Sequence, residues 1–305
     1  MEERELVIIG GGPAGMAAAL YGRRAGLDVL VLEKGNCGGQ ILITSEIENY
    51  LGFKHISGPD IANAFRDHAE HFGAEIRRTV VKEVVSQDGK HTVVTRDGDI
   101  RAKAVIVATG AAFRRLGAPG EKEFTGAGVS YCAVCDGAFY QDEVVAVIGG
   151  GNTAVEEACY LTQFASKVYV VHRRDEFRAD RLVCDRAACN AKIVPVWDSV
   201  LESVNGSDLV EGITIKNVKT GELSDLEVAG VFVFVGTLPI TECLGDMCER
   251  MDGGWIKTDE RMATSVPGIF AAGDVRNTPL RQVLTAASDG AIAAMSAYHW
   301  ITAGH

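Results

Sequence analysis

Short uninterrupted apolar runs, each ending in glycine, are the strongest pattern along the chain. Such runs read as strands buried on both faces rather than strands with one wet side. Leu6-Val7-Ile8-Ile9 ends in Gly10-Gly11-Gly12-Pro13-Ala14-Gly15. An alanine-rich stretch, Met16 to Arg24, predicts a helix closed by Gly26, and residues 28–32 predict a second strand ending at Glu33. The same order recurs once. A strand over 144–148 leads into Gly149-Gly150-Gly151-Asn152-Thr153-Ala154, then a helix, then a strand over 167–171. Two more apolar runs stop at turn residues, 104–107 at Ala108-Thr109-Gly110 and 268–272 at Gly273-Asp274. A helix from about Gln282 to Trp300 follows the latter. Residues 113–120 and 236–240 hold Gly and Pro beside apolar positions and read as linkers. The expected fold class is α/β, with two Rossmann-like dinucleotide-binding domains.

Composition narrows the classes. With 305 residues, the chain has room for about two domains of roughly 150 residues. It is 47% hydrophobic and 23% charged, with a formal net charge of −11. An acidic balance without clustered Lys and Arg argues against nucleic acid and against an anionic membrane surface. The 35 glycines accompany only 7 prolines and no low-complexity tract, which places them in tight turns and at close ligand approaches. Eight cysteines are too sparse for a disulfide scaffold. Leu6 to Gly22 carries no charge but is broken by its glycines and Pro13, so no membrane span is expected. Met1-Glu2-Glu3-Arg4-Glu5 is acidic where a secretory leader is basic, and a cytoplasmic location is the expectation.

The two glycine-rich turns carry the nucleotide chemistry. Gly10, Gly12 and Gly15 have the G-x-G-x-x-G spacing, which lets a pyrophosphate approach a helix N-terminus whose free N–H groups favour an anion. Glu33, 18 residues beyond Gly15, is placed to accept hydrogen bonds from ribose hydroxyls. In the second unit Gly149, Gly151 and Ala154 hold the same spacing, with Asn152 and Thr153 opening the helix. Eighteen residues beyond Ala154 stands His172, followed by Arg173 and Arg174, with Arg178 one helical turn further. A 2′-phosphate repels a carboxylate and pairs with guanidinium, so this site reads as one for NADPH rather than NADH. One such fingerprint alone is weak. Two of them, 139 residues apart and each in strand–turn–helix context, are much more specific. The bland alternative for Arg173 and Arg174 is a solvated charge run.

Cys132-Ala133-Val134-Cys135-Asp136 precedes the second fingerprint strand. As half of a zinc site it lacks a partner pair, since Cys184/Cys189 and Cys243/Cys248 are spaced C-x₄-C, and no metal is expected. Two unrelated buried thiols are a further reading. A reversible dithiol/disulfide is favoured, because two nucleotide-type sites can supply the electrons it exchanges. Asp136 is placed to protonate or deprotonate a leaving thiolate.

These segments, together with Gly38-Gly39-Gln40, the run His172 to Arg178, and Ala271 to Val275 followed by Arg281-Gln282, resemble the low-molecular-weight bacterial thioredoxin reductases over nearly the whole chain. The resemblance implies a split FAD domain, residues 1–113 and 242–305, enclosing an inserted NADPH domain, residues 114–241, that carries the cysteine pair. FAD would be held by Gly10, Gly12, Pro13, Ala14, Gly15, Glu33, Gly39, Gln40, Asn49, Ala108, Thr109, Gly110, Gly273, Asp274, Arg281 and Gln282. It further implies a homodimer, thioredoxin as disulfide substrate, Cys135 facing the flavin, Cys132 attacking the partner, Asp136 as the acid, and rotation of the insert between half-reactions. Ile240 stands where the family commonly has Asn after the proline, and Leu51 where it commonly has Pro, which puts a hinge contact and a loop near the flavin in question. A related flavin disulfide reductase or a dithiol oxidase with another acceptor is the alternative. Reductases of peroxiredoxin-type proteins usually carry an extra N-terminal redox domain, which this sequence does not show. A nucleotide-binding sensor without turnover is disfavoured by the cysteine pair.

Overall fold

A computed structural model describes residues 1–44, 47, 49–87 and 89–304. The chain divides into two compact units, Met1–Ala112 with Leu238–His305, and Phe113–Thr237. In the first unit, strand Glu2–Ile9 lies at the centre of a parallel set. Val29–Glu33 flanks it on one side and Asp99–Val107 on the other, with Glu75–Arg78 beyond Val29–Glu33. Strand Asp99–Val107 is used twice. Its first half pairs antiparallel with Lys90–Thr95, itself paired with Val81–Gln87. Its last residues pair parallel with Ile269–Ala271, Val105 opposite Ile269 and Val107 opposite Ala271. The strand that precedes the long excursion through the second unit is thereby joined to one that follows it.

Alternation along these strands sends neighbours to opposite faces, and both faces are covered. Leu6, Ile8, Val29, Val31 and Ile106 face helices Pro13–Arg24 and Val283–Thr302, through Ala18, Ala19, Ala293 and Ala297. Val7, Ile9, Leu30, Leu32 and Val105 face Leu244, Ile256 and Val275. The first helix begins earlier than the apolar pattern suggested because Pro13, with no N–H to leave unpaired, occupies its first turn. The last helix begins at Val283, capped by Gln282 in a reciprocal box with Thr285.

The second unit is a five-stranded parallel sheet ordered Ile193–Val196, Lys167–Val171, Val144–Ile148, Gly230–Val233 and Val129–Ser130. Helix Asn152–Leu161 lies on one face over Val145, Val147 and Phe232. The other face meets an antiparallel meander, Ser199–Gly206, Val210–Asn217 and Leu223–Glu227, through Ile213 and Ile215. Among the described residues no helix is long and apolar enough to cross a membrane.

Candidate active site

The two glycine turns are built alike. Gly10 N–H donates to Leu32 O at 2.9 Å, and Gly149 N–H to Val171 O at 3.1 Å, so each turn is hung from the end of the following strand. Gly12 and Gly151 are the N-caps of helices Pro13–Arg24 and Asn152–Leu161. A Cβ on Gly12 would find only the Gly38 carbonyl oxygen, at 4.0 Å, and one on Gly151 no heavy atom within 4 Å among the described residues. A Cβ on Gly15, by contrast, would run into the Gly10 carbonyl oxygen. The third glycine therefore serves close packing, while the second leaves a cradle beside free helix N–H groups, the shape a pyrophosphate fills.

Around the first turn, the Glu33 carboxylate accepts Gly11 N–H at 2.7 Å and Gly35 N–H at 2.8 Å, which fixes its orientation at the strand end. Gln40 Nε2 donates to Ala111 O at 2.9 Å, and Asn49 Nδ2 to Gln282 Oε1 at 3.2 Å. Gly39 begins a short 3₁₀ turn. Ala108 N–H donates to Ile9 O, placing Ala108, Thr109 and Gly110 at the exit of strand Asp99–Val107, and Thr109 Oγ1 donates to Ile240 O at 2.5 Å. Ile240 N–H donates in turn to Gly110 O at 3.0 Å. Ile240 thus contributes through its backbone, and the departure from Asn leaves these bonds in place. Leu51 is 86% exposed and adds nothing to the core. Asp274 Oδ1 is buried without a hydrogen-bond partner among the described residues, and burial pushes its carboxyl up to about 6. The Arg281 guanidinium lies 3.8 Å over the Trp255 ring, its Nε also buried and without a hydrogen-bond partner among the described residues. Orphaned polar groups of this kind fit a ligand rich in hydroxyls and carbonyls, as a flavin nucleotide is.

At the second turn, Arg173, Arg174 and Arg178 are exposed, and none has a side-chain partner among the described residues. Three unpaired guanidiniums on one loop of an acidic protein fit a phosphate. Arg178 N–H donates to Gly150 O at 2.6 Å, tying the loop to the turn. His172 is 6% exposed. A Cβ on Gly150 would collide with its ring, Phe177 lies beside it, and burial with the three nearby arginines holds its pKa below the usual value. The neutral imidazole therefore supports the loop from beneath. Asn152 and Asp180 exchange two hydrogen bonds, at 3.1 and 2.6 Å, beside the exposed Thr153.

Cys132 and Cys135 form a disulfide with their Cα atoms 5.3 Å apart. The bond closes a single turn, Ala133–Asp136, and Cys135 N–H lies 3.2 Å from Cys132 Sγ. Burial raises the Asp136 carboxyl above the usual range, partly offset by the Ser130 hydroxyl. Two residues that motif reading had not singled out join this region. Glu121, 2% exposed, accepts Leu116 N–H, Gly117 N–H and the Tyr131 hydroxyl at 3.1, 2.7 and 2.9 Å. Tyr131, next to Cys132, stacks on Phe113 with centroids 5.1 Å apart. A buried Glu preceding the cysteines by eleven residues has no sequence signature of its own.

Residues 4–290 match the profile of the family described as pyridine nucleotide-disulphide oxidoreductase. A thioredoxin reductase of Bacillus subtilis is 46% identical over 300 residues, spanning 97% of this chain and 94% of that protein. One from Listeria monocytogenes is 47% identical over 300 residues, 97% of this chain and 93% of that protein. Among solved structures, the thioredoxin reductase from Streptococcus pyogenes gives a TM-score of 0.95 at 49% identity, covering 99% of both chains.

Proposed function

The chain belongs to the thioredoxin reductases of the pyridine nucleotide-disulphide oxidoreductase family, flavin- and NADPH-using oxidoreductases, and from that premise we propose how its own residues divide the work. The unit Met1–Ala112 with Leu238–His305 binds the flavin as FAD. Gly12 and the first turn of Pro13–Arg24 would hold its pyrophosphate, Glu33 its ribose, and Asp274, Arg281 and Gln282 its flavin end. The unit Phe113–Thr237 binds NADPH on Gly149, Gly151 and Ala154, with Arg173, Arg174 and Arg178 on the 2′-phosphate. A flavin held there would supply the two-electron chemistry that links hydride from NADPH to reduction of the disulfide. Two copies of the chain act together as a homodimer.

Cys135 N–H, at 3.2 Å, stabilises the thiolate that reduction leaves on Cys132. That thiolate attacks one sulfur of the thioredoxin disulfide, forming a mixed disulfide and releasing the other sulfur as a thiolate. Asp136, whose carboxyl burial raises above its ordinary range, protonates the departing thiolate. Cys135 then displaces the second thioredoxin sulfur, closing Cys132–Cys135 again. The observation that carries this reading is the Cys132–Cys135 disulfide beside a half-buried carboxyl, in the same unit as three unpaired guanidiniums. The test is NADPH-driven reduction of the same organism's thioredoxin, scored by NADPH loss and by thiols formed. Cys132→Ser should abolish thiol formation while NADPH still bleaches the flavin. Undiminished thiol formation in that variant would overturn the assignment of the pair. Flavin bleaching by the unmodified enzyme with no thioredoxin reduction would instead point to another acceptor.

A further inference from the structure

We infer that Arg276 and Asp289, an ion pair buried beneath the Gly273–Asp274 turn, are positioning residues for the bound flavin. The inference rests on the proposal that this turn holds it. Asp289 lies inside helix Val283–Thr302, a position where aspartate is poorly favoured, among Ala286, Gly290, Ala293 and Ala294. Asp289 and Arg276 are each 8% exposed. Asp289 Oδ2 accepts Arg276 Nη1 at 3.0 Å and the Gly273 backbone N–H at 3.2 Å. Arg276 Nε donates to Thr258 Oγ1 at 2.6 Å, and Thr258 is held by Asn277 through bonds of 3.0 Å from its N–H and from its hydroxyl. The carboxylate thus joins the last helix to the first residue of the turn, and the guanidinium joins both to the neighbouring segment.

Burying two charges is weak evidence for a stabilising role, since apolar residues of similar volume often serve stability equally well. What this pair supplies and apolar packing cannot is direction. Gly273 adopts φ 76°, and a Cβ there would approach Ala14 Cβ to 2.9 Å. A Cβ on Gly290, the residue after Asp289, would strike the Ala14 carbonyl oxygen. The turn is therefore confined between the start of the first fingerprint helix and the last helix, and the hydrogen bond from Gly273 to Asp289 sets which way it leaves that gap. Asp274 follows immediately, its Oδ1 unpartnered among the described residues. The Asp289 charge acts on the Asp274 carboxyl in the same direction as burial, and Arg281 opposes both.

The test compares Asp289→Asn, which keeps the shape, and the double variant Arg276→Met with Asp289→Leu, which removes both charges together and frees the Gly273 N–H from its acceptor. Flavin dissociation from the holoenzyme is read by the fluorescence of released flavin, the bound flavin by its visible absorption, and NADPH affinity and the thermal midpoint of the apoprotein serve as controls. The double variant is expected to hold flavin at least about tenfold more weakly, the equivalent of one charge-assisted hydrogen bond. Its absorption bands should shift, with NADPH affinity and apoprotein midpoint unchanged. Flavin affinity and spectrum within twofold and unshifted in both variants would overturn the inference. Asp274→Asn separates the two levels. If it too leaves flavin binding untouched, the turn is not a flavin site; if it weakens binding while the pair variants do not, only the positioning role fails.

Discussion

Arg173 and Arg174 are exposed, and unpaired among the described residues, on a loop whose backbone is tied to the second glycine turn, so their hydrogen-bonding capacity is available to a ligand. Replacing both with alanine should weaken NADPH by about 1.5–3 kcal/mol, roughly 10- to 150-fold, while NADH changes little. Steady-state KM for the two nucleotides checks this, and an unchanged preference ratio would sink the 2′-phosphate role. Positions such as these were legible because spacing from a glycine turn fixes which residue stands at the next strand's end. What spacing cannot give is the direction of a side chain. His172 has the register of Glu33, yet its ring is buried under Gly150, whereas both oxygens of Glu33 accept backbone N–H groups of its own turn. Asp289 was illegible for a related reason. A single polar residue on an alanine-rich helix acquires meaning only once the Gly273 turn and Arg276 are folded against it.

The strand–turn–helix–strand units were readable because apolar runs buried on both faces, glycine and alanine-rich helices leave local signals. The antiparallel meander and the hairpin of Val81–Gln87 with Lys90–Thr95 were not, since their half-exposed strands mix polar and apolar residues and are defined by pairing across the chain. The stretch 113–120 shows the limit most clearly. Its glycines and proline suggested a flexible connection, but much of it is fastened. Val204 N–H donates to Pro119 O at 2.9 Å, and Glu121 takes the N–H groups of Leu116 and Gly117 as well as the Tyr131 hydroxyl. Glu121→Ala would strand the buried Tyr131 hydroxyl, at about 1–3 kcal/mol, and remove the acceptor of two part-buried N–H groups that water can reach at smaller cost. Chemical denaturation of this variant should show a loss of about 2–4 kcal/mol. The Tyr131 phenol, held at about 12 by burial and by the Glu121 carboxylate, should titrate lower in an ultraviolet pH titration. A phenol pKa that stays in place would mean that Glu121 does not govern this segment.

Only two passages join the units, and each is tethered on both sides. Ile240 N–H to Gly110 O and Thr109 Oγ1 to Ile240 O belong to one unit, and Arg114 N–H to Gly236 O belongs to the other. The backbone left between these ties is Ala111–Phe113 and Thr237–Pro239, short strands that pair only with each other among the described residues and lack the buried carboxylate that fastens residues 116–121. The proposed nicotinamide site and the Cys132–Cys135 disulfide lie in the same unit, while the proposed flavin site lies in the other. Hydride transfer and thiol–flavin electron transfer both need reacting atoms at about 3–3.5 Å. A single unit that must bring first one group and then the other to the same ring has to turn between the two steps, and these two segments are where the change in backbone angle can be absorbed. Covalently locking the two units together should therefore stop the cycle after one half-reaction. Stopped-flow absorbance of the locked enzyme mixed with NADPH should show at most one equivalent of flavin reduction, with no thiols formed on thioredoxin, and release of the lock should restore steady-state turnover. If the locked protein continues through many cycles at an undiminished rate, both groups reach the flavin without rotation, and the two tethered passages serve only as connections.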